Sequence, residues 1–195
     1  MSLRIAGRAR DRIAAILRES KLHTGRWAVI HPGATAASRR YPPEGFAAVT
    51  NQLEQIYGWR LVFTGSAGES ELVDSIRRNA RSNAVSLAGG LDLEEMAALL
   101  SEAPLLISNN TGPVHMAAAL GTPVVDLYAL TNPQHTPWAV PSRVLNVDVS
   151  CKYCYKSVCP EGHHDCLRLV TPESVVRAVL DLHRETRNRI TAEVA

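Results

Sequence analysis

Six short runs rich in Val, Ile and Leu alternate along this chain with longer segments whose apolar residues recur at helical spacing. The runs fall at Trp27–His31, Arg60–Thr64, Ala84–Leu87, Leu105–Ser108, Val124–Tyr128 and Val144–Val147. Strands that are apolar throughout must be covered on both faces, and parallel strands need a crossover element between them. The pattern therefore predicts an α/β fold in three layers, a six-stranded parallel sheet with helices on both faces. Helix boundaries carry their own signals. Pro43 can open a helix over Glu44 to Tyr57, and Gly58 follows where a left-handed cap would close it. Asp92 and Glu95 fit a capping box for a helix from Leu93 to Glu102, which Pro104 cannot extend. Thr171, Pro172 and Glu173 supply an N-cap, a first-turn proline and a first-turn acid for a last helix reaching about Arg187.

A length of 195 residues suits one well-packed core. Residues 1–25 read as an N-terminal helix or linker, because Arg4 to Leu22 is basic on one side and carries Ile5, Ile13, Ile16 and Leu17 on another. That face is modest, so the segment is a solvated amphipathic helix rather than one lying on a membrane. The domain itself spans 26–190, interrupted by an excursion at 150–169 between the last strand and the last helix. A formal net charge of +2 provides no basic field of the kind that gathers nucleic acid, so nucleic acid is not an expected partner. No apolar run approaches the ~20 residues that cross a bilayer, and the N-terminus lacks the apolar core of a secretory signal. The chain is expected to be soluble and not transmembrane.

Ligands of an open parallel sheet bind outside the carboxyl ends of the strands, in the loops that lead into helices. In the loop after the fourth run, "NNTGP" turns directly into a helix. Amides at a helix start have no intrahelical partner, and with the helix dipole they attract anions. Asn110, Thr111 and Gly112 of that turn, with His115 one turn on, are therefore candidate diphosphate ligands. The bland alternative is a capping turn and a packed surface histidine. Arg39 and Arg40, in the loop after the first run, could neutralise the same anion through guanidinium forks, or simply form a solvated face. In "TGSAGE", Gly65 and Ser66 leave room for a nucleoside, and Glu69 could accept from ribose hydroxyls or serve as a first-turn acid. Neither G-x-G-x-x-G nor G-x-x-x-x-G-K-[ST] occurs, and there is no Asp-x-Asp pair to hold a divalent cation. These absences point to a diphosphate site with no cofactor and no divalent metal.

The segments "HPGA…RRYP", "LVFTGSAGE", "LAGGLDLEEMAALLSEAPLLISNNTGPVHMAAALGTPVVDLYALTNP" and "CLRLVTPESV" resemble the heptosyltransferase family over roughly residues 27–185. Members of that family have two Rossmann-like domains facing a cleft, the GT-B arrangement, and the chain resembles the C-terminal, donor-binding one. The resemblance implies an inverting transfer of heptose from ADP-heptose to a lipopolysaccharide core acceptor. It also implies a glycolipid acceptor held by the other domain, and a cytoplasmic location that includes the inner face of the inner membrane. The family's turn is usually Asp-Thr-Gly or Asp-Ser-Gly. Here Thr111, Gly112 and His115 match, and Asn110 departs in charge. Arg39 stands where the family frequently has lysine, and Glu69 is an approximate counterpart of its acidic nucleoside ligand. The family's general base lies in the N-terminal domain, so no catalytic residue is expected here, and this span should bind nucleotide without turnover. The alternatives are a UDP- or GDP-sugar transferase or epimerase, and a non-catalytic module that binds a nucleotide or a partner.

All four cysteines fall in the excursion, as Cys151-x2-Cys154-x4-Cys159-x6-Cys166, with His163 and His164 between them. The first spacing suits a zinc knuckle and the others do not. Reduced thiols, disulfides, a structural zinc and a redox or metal-sensing domain are the readings open to them. Lys152, Lys156 and the histidines could otherwise line the mouth of the cleft.

Overall fold

The computed structural model describes residues 5–22 and 26–194, with the side chains of 190–194 left out. Six parallel strands form one sheet: β1 (Trp27–His31), β2 (Arg60–Phe63), β3 (Val85–Ser86), β4 (Leu106–Asn109), β5 (Val124–Leu127) and β6 (Ser142–Leu145). Their order is β3-β2-β1-β4-β5-β6. Seven helices accompany them: α1 (Gly7–Glu19), α2 (Pro43–Gln55), α3 (Ser70–Ala80), α4 (Leu93–Glu102), α5 (Gly112–Leu120), α6 (Asp165–Arg168) and α7 (Pro172–Val194).

Alternation along β1 separates two apolar layers. Ala28 and Ile30 join a cluster with Phe46 and Leu53 of α2, Ile76 of α3 and Val179 of α7. Trp27 and Val29 face the other way, into a cluster with Ile13 of α1, Leu99 of α4 and Val114 of α5. The chain runs outward from β1 through β2 to β3 with α2 and α3 on one face. It then crosses back to β4 and on to β5 with α4 and α5 on the opposite face. Right-handed crossovers require this change of face when the direction of travel reverses. Position β1–β4 is thus the switch point, where two strands diverge and their following loops leave a crevice.

Local signals set most boundaries as expected. Asp92 accepts from Glu95 N–H at 2.8 Å while Glu95 accepts from Asp92 N–H at 2.9 Å, the reciprocal capping box. Gly58, at φ 66°, follows α2, and the N–H of Trp59 reaches back to the Leu53 carbonyl at 2.9 Å in a Schellman closure. That closure ends α2 two residues before Tyr57. Strand β6 starts two residues earlier than its apolar run. It pairs with β5 from Ser142 onward, and Val147, predicted inside it, gives its N–H to the Cys166 carbonyl instead. Helix α7 extends past Arg187 to Val194.

The N-terminal helix is docked on the domain. Ala9, Ile13 and Leu17 of α1 are buried, and Arg12 pairs with Glu95 and donates to the Gly90 carbonyl at 3.0 Å. Arg4, with 1–3 and 23–25 of the predicted helix or linker, lies outside the described residues. None of the described helices is long and apolar enough to cross a membrane.

Candidate functional site

Asn109, the last residue of β4, ties the switch point together. Fully buried, it accepts from Tyr41 N–H at 2.9 Å and donates to the Pro32 carbonyl at 2.6 Å. Both ends of the loop after β1 are thereby fixed to β4. Between them, Arg40 turns back on its own loop, donating to the Ala34 carbonyl at 2.8 Å and the Thr35 carbonyl at 3.2 Å. Only Arg39 of the arginine pair faces the crevice.

There Arg39 lies over the Tyr128 ring, 5.8 Å from its centroid, and its Nη2 is 3.3 Å from His135 Nδ1. Its Nε is buried without a partner. Tyr128, at the end of β5, holds the following loop: its hydroxyl donates to the Asn132 carbonyl at 2.7 Å and accepts from Asn132 N–H at 2.9 Å. Arg39 therefore rests on two rigid supports, which limits the entropy it would lose on gripping a ligand.

Opposite Arg39, α5 begins. Thr111 is the N-cap in extended conformation and its hydroxyl makes no capping bond, so it stays available. An added Cβ at Gly112 would meet nothing within 4 Å, which leaves the backbone open to close approach. His115 follows on the first turn. Partial burial lowers its imidazole from 6.5, and the nearby His135 and Arg39 add to the shift, so the ring is neutral at pH 7. An anion placed among these groups would draw a proton back onto it. Together Arg39, Asn110, Thr111, Gly112 and His115 line a cleft of about 530 Å³, whose remaining wall includes Ser157 and Val158.

That wall is the cysteine excursion, and its attachment explains its position. Ser38 N–H donates to the Ser157 carbonyl at 3.0 Å, Ser38 Oγ to the Lys156 carbonyl at 2.7 Å, and Tyr155 N–H to the Thr131 carbonyl at 2.9 Å. The excursion thus bridges the loops after β1 and β5. All four thiols are free and half-buried. Asp165 N–H donates to His163 Nδ1, which leaves Nε2 as the donor toward Cys151 Sγ at 3.7 Å. Burial pushes the Cys166 thiol up, with Cys159 and Cys151 adding to it. Among the described residues, no three His, Cys, Asp or Glu side chains come together as a metal site would require, so Cys151, Cys154, Cys159 and Cys166 are not arranged as a zinc set.

The predicted nucleoside loop lies one strand further out. Glu69 is used locally: its Oε2 accepts from Ser66 N–H at 2.7 Å and Ser66 Oγ at 2.9 Å, a capping box. The same carboxylate packs onto Gly33, where a side chain would collide with it, so Gly65, Ser66 and Glu69 border the loop that carries Arg39. Sequence reasoning did not single out Asn109, Tyr128, His135 or Asp126. Asp126 is fully buried on β5, and Asn110 donates to its Oδ2 at 2.9 Å. A charged residue inside the run "VVDLY" was the available signal, since acids are rarely buried unless partnered.

A sheet of this order, with an anion-ready cleft at its switch point, defines a Rossmann-like α/β domain of the kind found in GT-B glycosyltransferases. The family model for glycosyltransferase family 9 (heptosyltransferase) matches residues 8–164, and the chain belongs to that family. Lipooligosaccharide heptosyltransferase 2 of Campylobacter jejuni is 26% identical over 173 residues, covering 86% of this chain and 53% of that protein. Among solved structures, the family 9 glycosyl transferase of Veillonella parvula superposes with a TM-score of 0.85 at 26% identity, over 95% of this chain and 54% of its own. The Escherichia coli ADP-heptose heptosyltransferase II superposes at 0.74 and 24% identity, with the same coverage. The chain spans about half the length of these relatives.

Proposed function

We propose that this domain binds the nucleoside-diphosphate sugar of an inverting glycosyltransferase, with ADP-heptose as donor and a lipopolysaccharide core sugar as acceptor. The observation that carries the reading is the convergence of Arg39, the open turn at Thr111–Gly112 and His115 on one cleft at the switch point. Its support from relatives is the ADP-heptose named for the E. coli enzyme and the heptosyltransferase family itself. In this reading the diphosphate sits at the start of α5, with Arg39 opposite and His115 beside it. The nucleoside extends toward Gly65, Ser66 and Glu69.

The contribution to catalysis is electrostatic. As the bond from the anomeric carbon to the diphosphate breaks, negative charge grows on the leaving oxygen. Preorganised amides, a guanidinium and an imidazole hold that charge without reorganisation. Cationic protein groups do the work that a divalent metal does elsewhere, so binding should be indifferent to chelators. The base that activates the acceptor is assigned to the part of the relatives beyond this span, and the span by itself contributes donor binding. The domain acts on the cytoplasmic side, where nucleotide sugars are supplied, against an acceptor at the membrane face.

Calorimetry with ADP, UDP and GDP, with and without EDTA, tests this. ADP should bind most tightly in both conditions. Equal affinity for the three would remove the adenine assignment, and binding of none would overturn the donor site.

A further inference from the structure

Asp126 has no exposed surface, and its one side-chain hydrogen bond is to Asn110. Asn110, equally buried, spends both amide hydrogens: one on Asp126 Oδ2 at 2.9 Å, one on the His135 carbonyl at 2.7 Å. That carbonyl fixes the amide's orientation, because the flipped group would set Asn110 Oδ1 against acceptors. Two buried acceptors then remain without a donor, Asn110 Oδ1 and Asp126 Oδ1. They belong to two planar groups already joined by a hydrogen bond. A single proton on Asp126 Oδ1 would complete an acid–amide pair and satisfy both atoms. No salt bridge reaches Asp126 among the described residues, whereas Glu95, the other buried acid, has Arg12.

We propose that Asp126, as a neutral acid paired with Asn110, is a positioning residue of the diphosphate site: it fastens the 110–112 turn to the 132–135 loop and so keeps Arg39 beside His135. The proposal rests on the donor-binding reading above. Burial supports it independently, pushing the Asp126 carboxyl up to about 7 against the opposing pull of the Asn110 hydrogen bond and the Arg39 charge. Arg39, from the loop after β1, acts on the Asp126 carboxyl through its charge, the His135 carbonyl of the loop after β5 accepts from Asn110, and His115 of α5 lines the same cleft as Asn110. The rest of α5 on that face is apolar, at Val114 and Ala117. Ionised, Asp126 would put a negative charge behind the turn that is to receive the diphosphate and draw on the charge of Arg39.

The test has two arms on the whole chain. In the first, NMR follows the aspartate carboxyl carbons without nucleotide, with Asp126 identified by its loss in Asp126→Asn. In the second, calorimetry measures ADP affinity between about pH 7 and pH 9 for wild type and Asp126→Asn; a proton that the bound anion draws onto His115 is common to both, so the difference between their slopes reports Asp126. Asp126 should titrate near neutrality and be protonated below it. Wild-type affinity should fall by up to about tenfold as it ionises, since a shift of one pKa unit on binding corresponds to that factor. Asp126→Asn, whose amide nitrogen takes the place of the orphaned Oδ1 and donates to Asn110 Oδ1 at every pH, should have a shallower slope and bind several-fold tighter than wild type at the alkaline end. Asp126→Ala should bind more weakly throughout. An Asp126 carboxyl already ionised in the ordinary acidic range, or an Asn variant that keeps the wild-type slope, overturns the proposal. If ADP fails to bind the wild-type chain, the donor reading fails and the positioning role falls with it, while the NMR titration still reports whether the neutral pair exists.

Discussion

Replacing Asn109 with alanine removes, in one step, a donor and an acceptor that join β4 to both ends of the loop after β1. Tyr41 N–H and the Pro32 carbonyl would be left facing a site from which water is excluded, as Tyr41 and Pro32 are themselves buried. A buried group left unpaired costs about 1–3 kcal/mol, so the two together should destabilise the domain by about 2–6 kcal/mol. For a domain of this size a loss of about 3 kcal/mol lowers the thermal midpoint by roughly 6–12 °C. Urea unfolding followed through the buried Trp27 and Trp59 measures the first quantity, and circular dichroism on heating the second. Asn51→Ala is the control, because it deletes a single half-buried bond to the Ala80 carbonyl and should cost about 1 kcal/mol. If Asn109→Ala costs no more than the control, the two bonds do not hold the loop to β4. Nucleotide affinity should fall as well, since Arg39 sits on the loop that Asn109 anchors.

Arg39→Ala should weaken ADP binding about tenfold to a hundredfold, the usual range for a charge-assisted hydrogen bond, while Arg40→Ala changes it far less because that guanidinium is committed to loop carbonyls; calorimetry on both variants tests the split. Gly45→Ala would drive a methyl into the Tyr41 ring, whose hydroxyl is tied to the Val170 carbonyl at 3.0 Å, and should cost about 1–3 kcal/mol in urea unfolding. Glu95, lowered from 4.5 by the Asp92 backbone bond and then by Arg12, contributes stability that is present above pH 4.5 and lost as pH falls through its folded value. Glu95→Gln should therefore flatten the acid limb of the stability profile, read by chemical denaturation at a series of pH values.

The sheet was legible because its central strands are buried on both faces, so their sequences are apolar throughout. At the edge that logic weakens. Residues of β6 are only half-buried, and its start is set by pairing with β5 from Ser142 rather than by its own apolar run. In the cleft, turn chemistry identified the Thr111–Gly112 corner, since a small residue before a helix has a local reason to be there. Arg39 and Arg40 could not be told apart, because which guanidinium faces the cleft depends on carbonyls brought close by the folded loop. Glu69 carries the Ser-x-x-Glu spacing of a capping box, and the structure uses it so. Asn109 and Asp126 act through partners far away in sequence, which composition and spacing do not encode. Only the oddity of an acid inside an apolar strand marked Asp126.

In the proposed site a diphosphate rests where β4 turns into α5, opposite Arg39, and amide and side-chain NMR of the chain titrated with ADP reads its position. The perturbed resonances should centre on Thr111, Gly112, His115 and the Arg39 guanidinium. Perturbations confined to the opposite end of the sheet, around Trp59 and His183, would contradict it.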